Sequence, residues 1–145
     1  MVHKVLSVIN PWAGLLCLGQ KHFETRSFNT SHRGTLLIHS SGRLKKPESK
    51  ELLIWLYANM DKFPEFKGKD HLQDICSQTG VIIGSVDIVD TFSTNDAEAL
   101  KQIDEIELRF GNYERDRWFW KCENPVLFDK PIIAKGNLGF WKFEL

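Results

Sequence analysis

The sequence predicts an α+β domain built on a small β-barrel. Three observations carry this reading. Six or seven short runs rich in β-branched and aromatic residues are spread along the whole chain. Two or three helical patterns fall among them in mixed order, without the regular strand–helix alternation of a parallel α/β fold. The length, 145 residues, suits a single domain over residues 1–145 with room for one core.

The elements follow in chain order. Lys4 to Ile9 (KVLSVI) is β-branched and reads as a strand. Asn10-Pro11 supplies a cap and then a proline at the first helical position. Trp12, Leu15, Leu16 and Leu18 predict a short helix stopped by Gly19. Phe23 to Phe28 is expected to be extended, and Thr35 to His39 (TLLIH) reads as a buried strand after Gly34. Pro47 starts a second helix with Leu52, Leu53, Trp55, Leu56, Asn59 and Met60 on or beside its core face. Phe63 to Lys69 reads as a loop. Val81 to Phe92 is a long strand, and Gly84 inside it marks a bulge or a close backbone approach. The polar stretch from Thr94 to Phe110 holds one weak helix over 97–106, capped by Asn95 or Asp96. Trp118 to Glu123 is a strand expected to end at Asn124-Pro125; Ile132–Ala134 and Phe140–Phe143 are the last two.

Nineteen Lys+Arg balance nineteen Asp+Glu, which excludes a polycationic nucleic-acid packaging protein. The balance hides an asymmetry. Residues 1–50 carry eight Lys/Arg against two acids, and residues 51–110 carry five against twelve. The first third therefore has the charge of a surface that meets anions, or of a basic helix and loop facing solvent. The longest apolar stretch, Trp12 to Leu18, is far short of the ~20 residues of a membrane span. No secretory leader is expected. Cys17, Cys76 and Cys122 are odd in number and far apart, with no CxxC spacing. Neither a disulfide framework nor a structural zinc is expected, and no cofactor or metal site is foreseen. Free thiols suit a reducing compartment: cytoplasm, or the nucleus in a eukaryote.

Gly19-Gln20-Lys21-His22-Phe23-Glu24-Thr25-Arg26 is the most informative segment. If Phe23–Arg26 is extended, Glu24 and Arg26 share one face, with Lys21 at the turn before them. Such a set can bind a polar planar group: Arg offers a fork of donors, Glu accepts, and Lys neutralises phosphate. The same residues would equally make a surface ion-pair ladder worth little. Trp12, at a helix start, and Trp118, after the charged loop 113–117, are the two tryptophans placed to stack on a base; packing in the core is the competing role. Asp87 and Asp90 lie on an otherwise apolar strand, where burial would raise a carboxyl pKa. No GxSxG, HExxH or phosphate-binding GxxxxGK[ST] loop occurs.

Several ordered motifs together resemble the ASCH domain, the activating-signal-cointegrator homology domain of the PUA-like superfamily. They are Leu6-Ser7-Val8-Ile9-Asn10-Pro11-Trp12-Ala13, the Gly19-x-Lys21-x-x-Glu24-x-Arg26 segment, His32-Arg33-Gly34, and Ile83 to Asp90. Trp118…Glu123-Asn124-Pro125 and Lys135-Gly136…Gly139-Phe140-Trp141-Lys142 complete them, so the resemblance covers essentially the whole chain. It implies a PUA-like mixed β-barrel with helices around it. It also implies a cleft holding Trp12, Lys21, Glu24 and Arg26, with Arg33, Asp87 and Trp118 nearby. These residues are expected to border one concave pocket with Trp12 at its wall.

The family is associated with nucleic-acid binding and coactivator roles, and in some members with RNA cleavage or deacetylation of acetylated cytidine. The amidohydrolase members resemble this chain with one departure. Their nucleophilic threonine, three residues after the lysine, is replaced here by Glu24, and Thr25 would point to the opposite face.

Three functions follow. The first is a module binding single-stranded RNA or a modified nucleoside, with phosphate met by Lys21, Arg33 and the Arg43/Lys45/Lys46 cluster. The second is a hydrolase of RNA or of an acylated nucleoside, using Lys21 and Glu24 as catalytic residues in the same cleft. The third is a protein-interaction module using the acidic segment Asp87 to Glu107.

Overall fold

The computed structural model describes residues 1–42 and 46–145. Arg43 and Lys45, named above as phosphate contacts, lie outside the described residues. Six strands, β1 (Val2–Ile9), β2 (Phe23–Arg26), β3 (Gly34–Ser41), β4 (Val81–Ser93), β5 (Trp118–Ile133) and β6 (Phe140–Glu144), form one sheet in the order β2-β5-β4-β3-β1-β6. Among the described residues only the β1–β3 pair is parallel.

The ladder is open between its two edge strands, β2 and β6, and side chains bridge the opening. Trp120 on β5 stacks on Phe140 of β6 at 5.5 Å between ring centres, 12° from parallel. Arg26 of β2 donates from Nη2 to the Ser7 carbonyl of β1 at 3.0 Å. Ser7 lies one residue beyond the last β1–β6 pair, Leu6 with Phe140. The fold is therefore α+β and barrel-like, with a seam closed by side chains in place of a ladder.

Inside the curl lie Leu6, Val8, Leu36, Ile38, Val86, Ile88 and Trp120, all buried. A second core forms under the helices, where Leu15 of α1 (Trp12–Cys17) meets Leu52 and Leu56 of α2 (Pro47–Ala58) and Leu72 and Ile75 of α3 (Lys69–Ser77). Between α2 and α3 stands a single 3-10 turn, Met60–Lys62. The sequence reading missed α3, although Leu72, Ile75 and Cys76 are buried at helical spacing. The single helix expected over 97–106 is two: α4 (Ala97–Leu100), capped by Asp96, and α5 (Glu105–Phe110), capped by Asp104.

Asn124-Pro125 does not end the strand. β5 runs on to Ile133 and absorbs the expected Ile132–Ala134 strand up to that residue. The pairs Ser85 with Val126 and Asp87 with Glu123 leave residues 124 and 125 opposite Val86 alone. Asn124 has φ +52°, and this bulge removes the proline from the ladder, where it could not donate. Gly84 is the close approach the sequence suggested: a Cβ there would stand 2.0 Å from the Val126 carbonyl oxygen and 2.8 Å from Cys17 Sγ.

Candidate functional site

Asn10 starts the construction. Its side-chain oxygen accepts the Gly14 N–H at 3.0 Å, and its amide donates to Ser40 Oγ at 2.9 Å and to the Ile75 carbonyl at 3.1 Å. The helix starts at Trp12 with Pro11 as its N-cap residue, one place later than expected, and the Asn10 side chain satisfies a first-turn N–H and ties α1 to β3 and α3. The helix ends in a Schellman arrangement: Gly19 takes φ +73°, its N–H bonds to the Leu16 carbonyl, and the Gln20 N–H bonds to that of Leu15. The Lys21 N–H also reaches the Leu15 carbonyl, at 3.0 Å. Lys21 therefore leaves the helix end in a fixed direction.

The buried carboxylate of Glu107 on α5 holds the next two residues. It accepts the backbone N–H groups of His22 and Phe23, at 2.9 and 3.0 Å, and faces His22 Nδ1 at 3.1 Å. The sequence reading did not single out Glu107. Its only signal was an acid in the first turn after a capping Asp104.

Strand alternation then puts Glu24 and Arg26 on one face, as expected. Lys21 Nζ donates to the Phe23 carbonyl and pairs with Glu24 Oε1 at 3.1 Å. Arg26 meets the other oxygen, Glu24 Oε2, from Nε at 2.9 Å and from Nη2 at 2.8 Å. Lys21 is 2% exposed and Glu24 6%, whereas a quarter of the Arg26 side chain is open. Burial alone would raise the Glu24 pKa, but the Lys21 ammonium and the Arg26 guanidinium outweigh it and hold the carboxyl below its ordinary value. This is a partly buried charge network rather than an exposed ion-pair ladder. Arg26 Nη1 has no protein partner among the described residues.

Trp118 stands directly across the β2–β5 ladder from Arg26, and Trp120 across from Glu24. Thr25 faces the other way, with its Oγ1 accepting the Asn112 N–H at 3.1 Å. Trp12 is half-buried between the barrel core and the helical core. Arg33 is exposed; it donates to Thr91 Oγ1 at 3.2 Å and lies 3.9 Å from Asp90. Asp87 accepts from Thr35 Oγ1 and Asn124 Nδ2 on the β4 surface.

Two shallow concavities of about 410 and 280 Å³ flank His22. Lys21 lines the smaller, while Trp12, Glu24 and Arg26 line neither. Glu24 is buried opposite Trp120, and the Arg26 guanidinium spans the seam to the Ser7 carbonyl. Among the described residues no group of three or more His, Cys, Asp or Glu could hold a metal ion, and no helix is long and apolar enough to cross a membrane.

The family model of the ASCH domain matches residues 6–132. Activating signal cointegrator 1 of Mus musculus and that of Homo sapiens are each 31% identical over 139 residues. Those matches take in 96% of this chain, which spans 22% of the length of either relative. The crystal structure of ASCH from Zymomonas mobilis shares the fold, with a TM-score of 0.50 at 11% identity over 90% of this chain and 73% of that one.

Proposed function

The chain belongs to the ASCH domain family, and from that premise we propose that residues 1–145 form one such domain and bind single-stranded RNA at the barrel seam. Arg26 and Trp118 meet the base, and Arg33 and Lys46 meet phosphate. One observation carries the reading. Glu24 and the Ser7 carbonyl lock the Arg26 guanidinium by Nε and Nη2, while Nη1 stays unclaimed beside the half-buried Trp118. A guanidinium fixed in plane loses little freedom when it forks onto a base edge or phosphate. Lys21 and Glu24 act behind it as its support: both are buried, and they bond to each other, to Arg26 and to the Phe23 carbonyl. The same burial and pairing favour a supporting role over the hydrolase reading.

The interaction reading loses ground for a related reason. Asp96 and Asp104 cap helices and Glu107 is buried, so much of the acidic segment serves the fold. The three cysteines are free and buried, in line with a reducing compartment, cytoplasm or nucleus, as the proposed setting.

Fluorescence anisotropy with labelled 12-nucleotide RNA tests the proposal. Single strands should bind better than a duplex of the same sequence, because stacking needs an unpaired base. Arg26→Ala should weaken binding about ten- to a hundred-fold, the cost of a hydrogen bond to a charged group, while Thr25→Ala changes it less than twofold. Equal binding by wild type and Arg26→Ala, or release of cleaved product or deacylated nucleoside by the wild type, would overturn it.

A further inference from the structure

Phe28 follows Arg26 at the seam and is 37% exposed. It meets Trp120 at 5.5 Å and Phe140 at 6.2 Å between ring centres, both T-shaped, while part of its surface stays open to solvent. His32 lies 6.2 Å from Phe140. Lys4 Nζ stands 5.5 Å from the centre of the Phe140 ring. Lys4 is also paired directly with Lys142 across the antiparallel β1–β6 ladder. Like charges placed opposite one another destabilise a ladder unless an anion relieves them. Among the described residues neither lysine has a salt-bridge partner, and the neighbouring acid, Glu144, is taken by the amino terminus at 2.9 Å. Behind the platform, the indole N–H of Trp120 is buried without a hydrogen-bond partner.

We propose that Phe28, Phe140 and His32, with Lys4 and Lys142, form a second nucleotide subsite on the seam. An unpaired base stacks on the open ring surface of Phe28, and its phosphate sits between the two lysines. This rests on the RNA-binding reading above and extends it by one nucleotide, away from Arg26 towards the chain termini. Charge complementarity selects the occupant: an aromatic surface flanked by two uncompensated ammonium groups fits a single nucleic-acid strand.

The test uses the full chain, labelled rA12 and rU12 single strands, and the matching duplex. Phe28→Leu keeps the apolar packing and removes the stacking face, so it should weaken single-strand binding by about five- to a hundred-fold. Phe28→Trp should bind at least as well as wild type. Lys4→Gln and Lys142→Gln should each lower the slope of log affinity against log salt, and the double variant by about 0.7, the one phosphate the pair holds on a single strand. If Phe28→Leu melts early, the lysine variants, both at exposed positions, still decide the matter through the salt slope. Wild-type binding with Phe28→Leu and both lysine variants unchanged would overturn the subsite and leave the Arg26 site standing. A wild type that binds no strand would overturn both.

Discussion

Replacing Glu24 by glutamine tests the charge network most directly. The substitution keeps shape and one acceptor oxygen but strips the negative charge from between Lys21 and Arg26. Lys21 is 2% exposed and would keep only a carbonyl and an amide oxygen around its ammonium. Removing one partner of a buried ion pair typically costs about 3–5 kcal/mol, chiefly because the remaining charge stays desolvated. Glutamine's residual acceptor argues for the lower end. At about 4 °C per kcal/mol for a domain of this size, the melting temperature should fall by roughly 12 °C or more.

The pH dependence has a definite sign. The folded Glu24 carboxyl titrates below its ordinary value, so its contribution is complete above the unfolded pKa of about 4.3–4.5 and is lost as the pH falls through the folded value. Wild type should therefore lose stability more steeply than Glu24→Gln below about pH 5, by up to ~1.4 kcal/mol per pH unit. Urea unfolding from pH 7 to pH 3 measures both effects. Lys21→Met completes a double-mutant cycle: with the stranded cation gone, the double variant should regain about 0.5–3 kcal/mol relative to the sum of the singles. A Glu24→Gln cost under ~1 kcal/mol, with additive singles and parallel pH profiles, would refute the reasoning.

Three further outcomes are expected. Gly84→Ala should destabilise by at least about 1–3 kcal/mol, since its methyl would collide with the Val126 carbonyl and with Cys17; a melting temperature within 2 °C of wild type, for the roughly 4 °C per kcal/mol used above, would mean the two strands part freely there. Glu107→Ala leaves the Phe23 and His22 N–H groups without their acceptor, at about 1–3 kcal/mol for each that stays buried. Hydrogen exchange at Phe23 should accelerate in that variant, and unchanged protection would count against the role given to the carboxylate. Burial raises all three thiols, Cys76 and Cys122 to about 12. A thiol reagent at pH 8 should label the native protein slowly and three cysteines per chain in denaturant; rapid native labelling would contradict their placement.

Much of the frame was legible in local sequence. β-branched runs marked β1, β3 and β4, Pro47 marked the start of α2, and Gly19 marked the end of α1, because propensities and caps act within a few residues. The alternation of a strand put Glu24 and Arg26 on one face and Thr25 on the other before any partner was known. The sequence could not determine which face would be covered. Lys21 and Glu24 are buried in the folded chain, where Trp120, brought from the far end of the sequence, lies across from Glu24. The carboxylate that fixes the turn before β2 likewise arrives from Glu107, eighty-five residues after His22.

Local signals at Asn124-Pro125 pointed to a strand end, yet β4 continues alongside, and a bulge that parks the proline costs less than leaving the rest of the β4 edge unpaired. The meeting of Phe28 with Phe140 was likewise invisible, since it requires the two edge strands of the sheet to come together. Cap chemistry and side-chain period depend on neighbours in the chain and can be read from them. Burial and the partner of each charge depend on neighbours in space, and only the folded sheet, with its side-chain-bridged seam, supplies those.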